Sequence, residues 1–74
     1  MQTVRFRLQL NSEQYLAYYK GQAKRISVVC DDGRRIEFPA EHLRPYLTHD
    51  GIHGHFEIDF DQQKRFIALR RRHG

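Results

Sequence analysis

The 74-residue chain has no tryptophan and only one cysteine, Cys30. No apolar run approaches the ~20 residues that span a bilayer. A lone cysteine excludes an internal disulfide and a cysteine-built metal knot. No basic segment leads into an apolar stretch at the start, where the first charge is Arg5, so no secretory signal is expected and a cytoplasmic location is. Repeats, linkers and low-complexity segments are also missing, which leaves a single domain over residues 1–74. Serine hydroxyls are confined to Ser12 and Ser27, neither in the context of an activated nucleophile. Asp31-Asp32 reads as turn chemistry rather than an acid pair. So short a chain has no second layer with which to enclose a pocket. No catalytic activity and no cofactor are expected.

What the chain does hold is globular. Hydrophobic residues make up 39% and charged residues 30%, with 5 Phe and 4 Tyr supplying the large apolar surface, a balance that favours a packed core over disorder. The net charge is +4 and the isoelectric point ≈ 9.6. Nucleic acid or an acidic protein suits such a charge as partner.

Thr3–Leu10 alternates, with Val4, Phe6, Leu8 and Leu10 on one side and Arg5, Arg7 and Gln9 on the other, the pattern of a half-buried strand. Asn11 or Ser12 can cap a helix, and Gln14 stands where a capping box needs it. Tyr15, Leu16 and Tyr19 form that short helix's docking face, Lys20 suits its last turn and Gly21 the C′ position. Lys24–Cys30 and Arg34–Phe38 read as a hairpin. A three-residue loop, Asp31-Asp32-Gly33, pairs Val28 with Ile36 and Ile26 with Phe38, which keeps one face apolar and needs Gly33 at positive φ. Cys30 faces inward as a small hydrophobe. Pro39 ends the hairpin, and Glu41–Leu47 holds a single α or 3₁₀ turn limited by Pro45. Ile52–Phe60 and Arg65–Arg71 read as a second hairpin. A loop centred on Gln62-Gln63 pairs Ile58 with Ile67 and Phe56 with Leu69, leaving Phe66 and Ala68 on the outer face.

The expected fold is therefore α+β, in the order β-α-β-β-(3₁₀)-β-β. Its five strands are expected to form one curled antiparallel sheet, an SH3-like or Sm-like half-barrel; a two-layer sheet with the helix on one face is the alternative. The stretch Tyr19–Phe60 resembles a family of short bacterial proteins known as domain of unknown function 2835. The resemblance is carried by Tyr19-Lys20-Gly21, Asp32-Gly33-Arg34-Arg35, Phe38-Pro39-Ala40 and above all the block from Leu43 to Phe56, LRPYLTHDGIHGHF. It implies a stand-alone bacterial, cytoplasmic protein and carries over no catalytic or ligand residue.

Two constellations remain. His49, Asp50, His53 and His55 are metal-ligand types, but their spacing fits no strong zinc motif and the intervening glycines suit a tight turn; no metal site is expected. The arginines are more promising. Arg5 and Arg7 lie on the outer face of the first strand and Arg70, Arg71 and Arg72 lie at the far end. If the first and fifth strands are neighbours, these five share one patch suited to phosphate. Glu57, Asp59 and Asp61 are the competing partners that would neutralise them across the sheet. Tyr15, Tyr18 and Tyr19 could stack on bases, but two of them are needed to dock the helix. The leading expectation is a non-enzymatic binding module for nucleic acid. The alternative is a protein-interaction domain or homodimer that uses Phe66, Val29 and an open sheet edge.

Overall fold

A computed structural model of the chain describes residues 1–72. Its elements are β1 (Gln2–Leu10), α1 (Ser12–Lys20), β2 (Arg25–Val29), β3 (Arg35–Pro39), a 3₁₀ helix (Ala40–Tyr46), β4 (Ile52–Phe60) and β5 (Phe66–Arg71). The class is α+β, with strands dominant and both sheets open and antiparallel.

One continuous five-stranded sheet does not form. A three-stranded sheet of order β1-β4-β5 faces a separate β2-β3 hairpin. Between them runs one backbone bond, from the Asp31 N–H to the Arg5 carbonyl at 2.8 Å. The strand order also corrects the expected closure: β4 lies between β1 and β5, so the first and fifth strands are not neighbours. The two nine-residue strands, β1 and β4, alternate without interruption and pair from Gln2↔Phe60 to Leu10↔Ile52. The six-residue β5 takes an outer place.

The inward residues form a single core. Phe6, Tyr15, Ile26, Phe38, Leu43, Ile52, Phe56 and Ile58 are its largest fully buried members. Phe6 packs against both Phe38 and Phe56, with ring centroids 5.7 and 5.8 Å apart, and so ties the hairpin to the larger sheet. Cys30 is buried among these residues, and removal from water pushes its thiol pKa up.

Helix α1 begins in a capping box. The Asn11 side chain accepts from the Gln14 N–H at 2.8 Å, and the Gln14 side chain accepts from the Asn11 N–H at 2.9 Å. Two turns of helix cannot stand alone, and α1 is anchored by Tyr15, whose hydroxyl donates to the Ala40 carbonyl at 2.8 Å inside the core. Leu16 and Tyr19 pack beside it, while Tyr18 stays exposed. Arg44 lies 5.1 Å above the Tyr19 ring. Gly21 is the C-cap itself, with extended backbone, rather than the residue beyond it.

The first hairpin has the expected pairs Val28↔Ile36 and Ile26↔Phe38, and Gly33 has φ 90°. The second hairpin differs from the expectation. Its loop has three residues, Gln62-Gln63-Lys64, with Asp61 N–H bonded to the Arg65 carbonyl and Lys64 N–H to the Asp61 carbonyl, both at 3.0 Å. A two-residue loop would demand positive φ at Gln62 or at both glutamines, whereas in this loop the left-handed residue is Lys64, at φ 63°. The Asp61 carboxylate secures the loop by accepting from the Gln63 and Arg65 N–H groups.

A bulge follows. Phe60 pairs with Phe66 but Asp59 with Ala68, so Ile67 is the extra residue. Ile58 thus meets Leu69 and Phe56 meets Arg71, in place of Ile67 and Leu69. The bulge brings Phe66 and Leu69, three residues apart, to the core side together. Phe66 is therefore not an exposed residue on the outer face. His42 of the 3₁₀ helix stacks on it, with centroids 3.9 Å apart and planes 11° from parallel. Ile67 is the half-exposed apolar residue of β5, as Val29 is of the hairpin.

Candidate functional site

Alternation and register together set the outer face of the three-stranded sheet. Arg5 stands opposite Glu57, which stands opposite Arg70; Thr3, Asp59 and Ala68 form the row on one side. On the other side Arg7 stands opposite His55, and Arg72 joins that row through its N–H bond to the His55 carbonyl at 2.8 Å. Gln9 and His53 form the last row. The arginines near the two chain ends share this face across β4, and not by lying on neighbouring first and fifth strands as expected. The set includes Arg5, Arg7, Arg70 and Arg72. Arg71 does not belong to it: paired with Phe56, it sits on the opposite face, lies over Gly54 and donates to the His53 carbonyl at 2.8 Å.

Both carboxylates of the face are occupied. Arg5 Nε lies 3.0 Å from Glu57, Arg70 Nε 3.6 Å and Arg72 Nε 3.9 Å. Asp59 accepts from Arg70 at 2.7 Å and from the Thr3 hydroxyl at 2.7 Å. Its side chain is only 11% exposed. The Arg70 guanidinium first, and the Thr3 hydroxyl second, hold the Asp59 carboxyl below its ordinary pKa, and Asp59 in turn raises that of Arg70.

The acids thus sit deep and the guanidinium groups lie outermost. Arg5, Arg70 and Arg72 keep 54%, 47% and 41% of their side-chain surface exposed against 16% for Glu57. Four arginines against two carboxylates leave the face positive, and no carboxylate stands in the row Arg7–His55–Arg72. Arg7 has no side-chain partner among the described residues. Asp61 does not contribute to neutralisation here; it is held in its turn by Arg65 at 2.8 Å.

The histidine-rich segment is dispersed by the fold. Thr48 and Gly51 bond each other's backbone in both directions at 2.9 Å, so His49 and Asp50 form an exposed turn tip. His53 and His55 lie on the outer face of β4, and a ring nitrogen of His53 is 2.9 Å from the Asp50 carbonyl oxygen. Among the described residues no group of three His, Cys, Asp or Glu is placed to hold a metal ion. The glycines of this segment serve packing. A β-carbon on Gly51, at φ 109°, would stand 2.0 Å from the Leu10 carbonyl oxygen.

Thr3, the partner that fixes Asp59 from β1, was not among the expected site residues. Its signal was present, since Thr3 continues the polar side of the strand beyond Arg5. Also unexpected is a concavity between the hairpin edge and the β4–β5 turn, lined by Val4, Arg34, Arg35, Ile36, Phe60 and Lys64 among others. Its parts are scattered through the chain and no local pattern joins them.

Fold and face together define a small α+β domain with an arginine-covered sheet. The sequence matches the family described as "Protein of unknown function (DUF2835)" over residues 2–72, and the chain belongs to that family. No curated protein and no solved structure matches it.

Proposed function

We propose that this chain is a non-enzymatic binding module that takes up a polyanion, nucleic acid first, on the outer face of the β1-β4-β5 sheet. The observation that carries this reading is the array of Arg5, Arg7, Arg70 and Arg72 held outermost over recessed Glu57 and Asp59. Anchoring to carboxylates fixes the Arg5, Arg70 and Arg72 guanidinium groups before binding, which reduces the ordering cost of meeting a phosphate chain. Arg7 and Arg72, with His55 between them, are the first contacts, because that row carries no acid of its own. We read the two sheets as an opened half-barrel of the SH3-like or Sm-like kind, with the Asp31–Arg5 bond as its seam.

The test is titration of fluorescent single- and double-stranded oligonucleotides at several salt concentrations. The expected result is affinity that falls steeply with salt, and a slope reduced by roughly one unit for each of Arg7→Gln and Arg72→Gln. Absence of amide shift changes in the unaltered protein at low salt, with either oligonucleotide, would defeat the reading.

A further inference from the structure

Away from the arginine face, a cleft of ≈ 350 Å³ opens between β3, the start of β1 and the β4–β5 turn. Four consecutive residues line it: Arg34 and the first three residues of β3, Arg35 to Glu37. Side chains of a strand alternate between faces, so only its edge can present four consecutive residues to one space. The edge is that of a strand paired on one side only.

The backbone phase follows from the hairpin's own bonds. Cys30 N–H donates to the Arg34 carbonyl at 2.7 Å, and Ala40 N–H to the Lys24 carbonyl at 2.9 Å. Arg34, Ile36, Phe38 and Ala40 therefore turn their backbone groups toward β2, and Arg35 and Glu37 turn theirs outward. Arg35 offers one N–H and one carbonyl, and Glu37 offers its N–H, while the Glu37 carbonyl already accepts from the Arg25 guanidinium at 3.1 Å. Pro39 ends the run, since it has no N–H to offer.

The surroundings select what could pair there. Val4, Ile36 and Phe60 give the cleft an apolar floor, and Arg34, Arg35 and Lys64 stand around it. Glu37 is its only acid and is already engaged by Arg25 at 2.8 Å. Arg34 bonds Asp32 at 2.6 Å. Arg35 and Lys64 have no acidic partner among the described residues.

We propose that the β3 edge is a docking site for an extended acidic peptide segment of a partner protein, added as a further strand. The peptide backbone would exchange hydrogen bonds with Arg35 and Glu37, its apolar side chains would lie on Val4, Ile36 and Phe60, and its carboxylates would meet Arg35 and Lys64. A second copy pairing antiparallel about Ile36 would set Arg35 opposite its Glu37, so self-pairing is the competing occupant, and dependence on protein concentration separates the two. The site shares no residue with the arginine face, so the two readings stand or fall separately.

The test uses the isotopically labelled protein and two acetylated heptapeptides, one alternating valine with glutamate and one alternating valine with lysine. The glutamate peptide is expected to shift the Arg35 and Glu37 amides and slow their hydrogen exchange, leaving Arg7 and Arg72 unmoved. The lysine peptide is expected to do neither. Arg35→Glu with Lys64→Glu should weaken the glutamate peptide by about tenfold or more while the hairpin amides keep their native dispersion. Three results would overturn the proposal: no shifts at millimolar peptide, shifts confined to the arginine face, or protection of Arg35 and Glu37 that rises with protein concentration alone.

Discussion

Gly33 and Lys64 occupy the same position in two hairpin turns with one hydrogen-bond pattern. Each is the third residue of a three-residue loop, each is left-handed, at φ 90° and 63°, and each donates its N–H to the residue three before it, Cys30 or Asp61. One hairpin uses the residue type suited to that conformation and the other does not.

Gly33→Val is expected to destabilise the domain by about 1–2 kcal/mol, the cost of placing a branched side chain in the left-handed region. No atom lies within 4 Å of an added β-carbon, so conformation alone sets the loss. Urea unfolding at constant m-value measures it.

Lys64→Gly should act in the opposite direction. Relief of the left-handed strain outweighs glycine's larger entropy in the unfolded chain, for a net gain of about 0.5 kcal/mol. A rise in melting temperature would register it, and no rise would mean that Asp61 and its turn bonds already absorb the strain.

Gly51→Ala is expected to be the most damaging glycine substitution. The added carbon meets Leu10 and Asn11 backbone as well as an unfavourable φ. Strain and overpacking together amount to about 3 kcal/mol or more. Loss of the folded amide spectrum at 37 °C, with partial recovery on cooling, is the expected outcome; a native spectrum would show that β1 and the turn can separate cheaply.

Acid should loosen the sheet through Asp59. Its folded pKa is depressed, by Arg70 first and Thr3 second. Its contribution is therefore fully present above the unfolded carboxylate pKa of about 3.9 and is lost as the pH falls through the folded value. Asp59→Asn should flatten the acid limb of a melting-temperature profile. Arg70→Gln should lower stability at neutral pH, because it leaves a nearly buried carboxylate held by Thr3 alone. An unchanged acid limb in Asp59→Asn would assign acid sensitivity to the turn carboxylates Asp32 and Asp61, which are also depressed.

The first hairpin was legible because two constraints agreed: its glycine position and its apolar face select the same register. The second was not, because Gln62-Gln63 advertises no turn type and the left-handed residue is a lysine. A clue lay in Phe66 and Leu69, whose spacing of three cannot share a strand face without a bulge. The arginine face was readable as a set of exposed residues but not as a geometry. Either neighbour for β1 leaves Arg5 and Arg7 outside, and the choice of β4 follows from two long, uninterrupted strands matching each other. Arg71, one residue from two members of the face, lies on the other side of the sheet because it alternates with them along the chain and pairs with the inward Phe56.

The pairing of β1 with β4 has a consequence for how the chain acquires its fold. Gln2 finds its partner in Phe60 and Arg5 in Glu57. β1 leaves the ribosome ahead of β4 and must wait for it before that edge is satisfied, with Val4, Phe6 and Leu8 unburied in the meantime. The β2-β3 hairpin and α1 close short loops and can form early. Sheet closure across the length of the chain makes folding slow for so small a domain, on the order of milliseconds to seconds. During synthesis the bare β1 is the segment most exposed to wrong pairing.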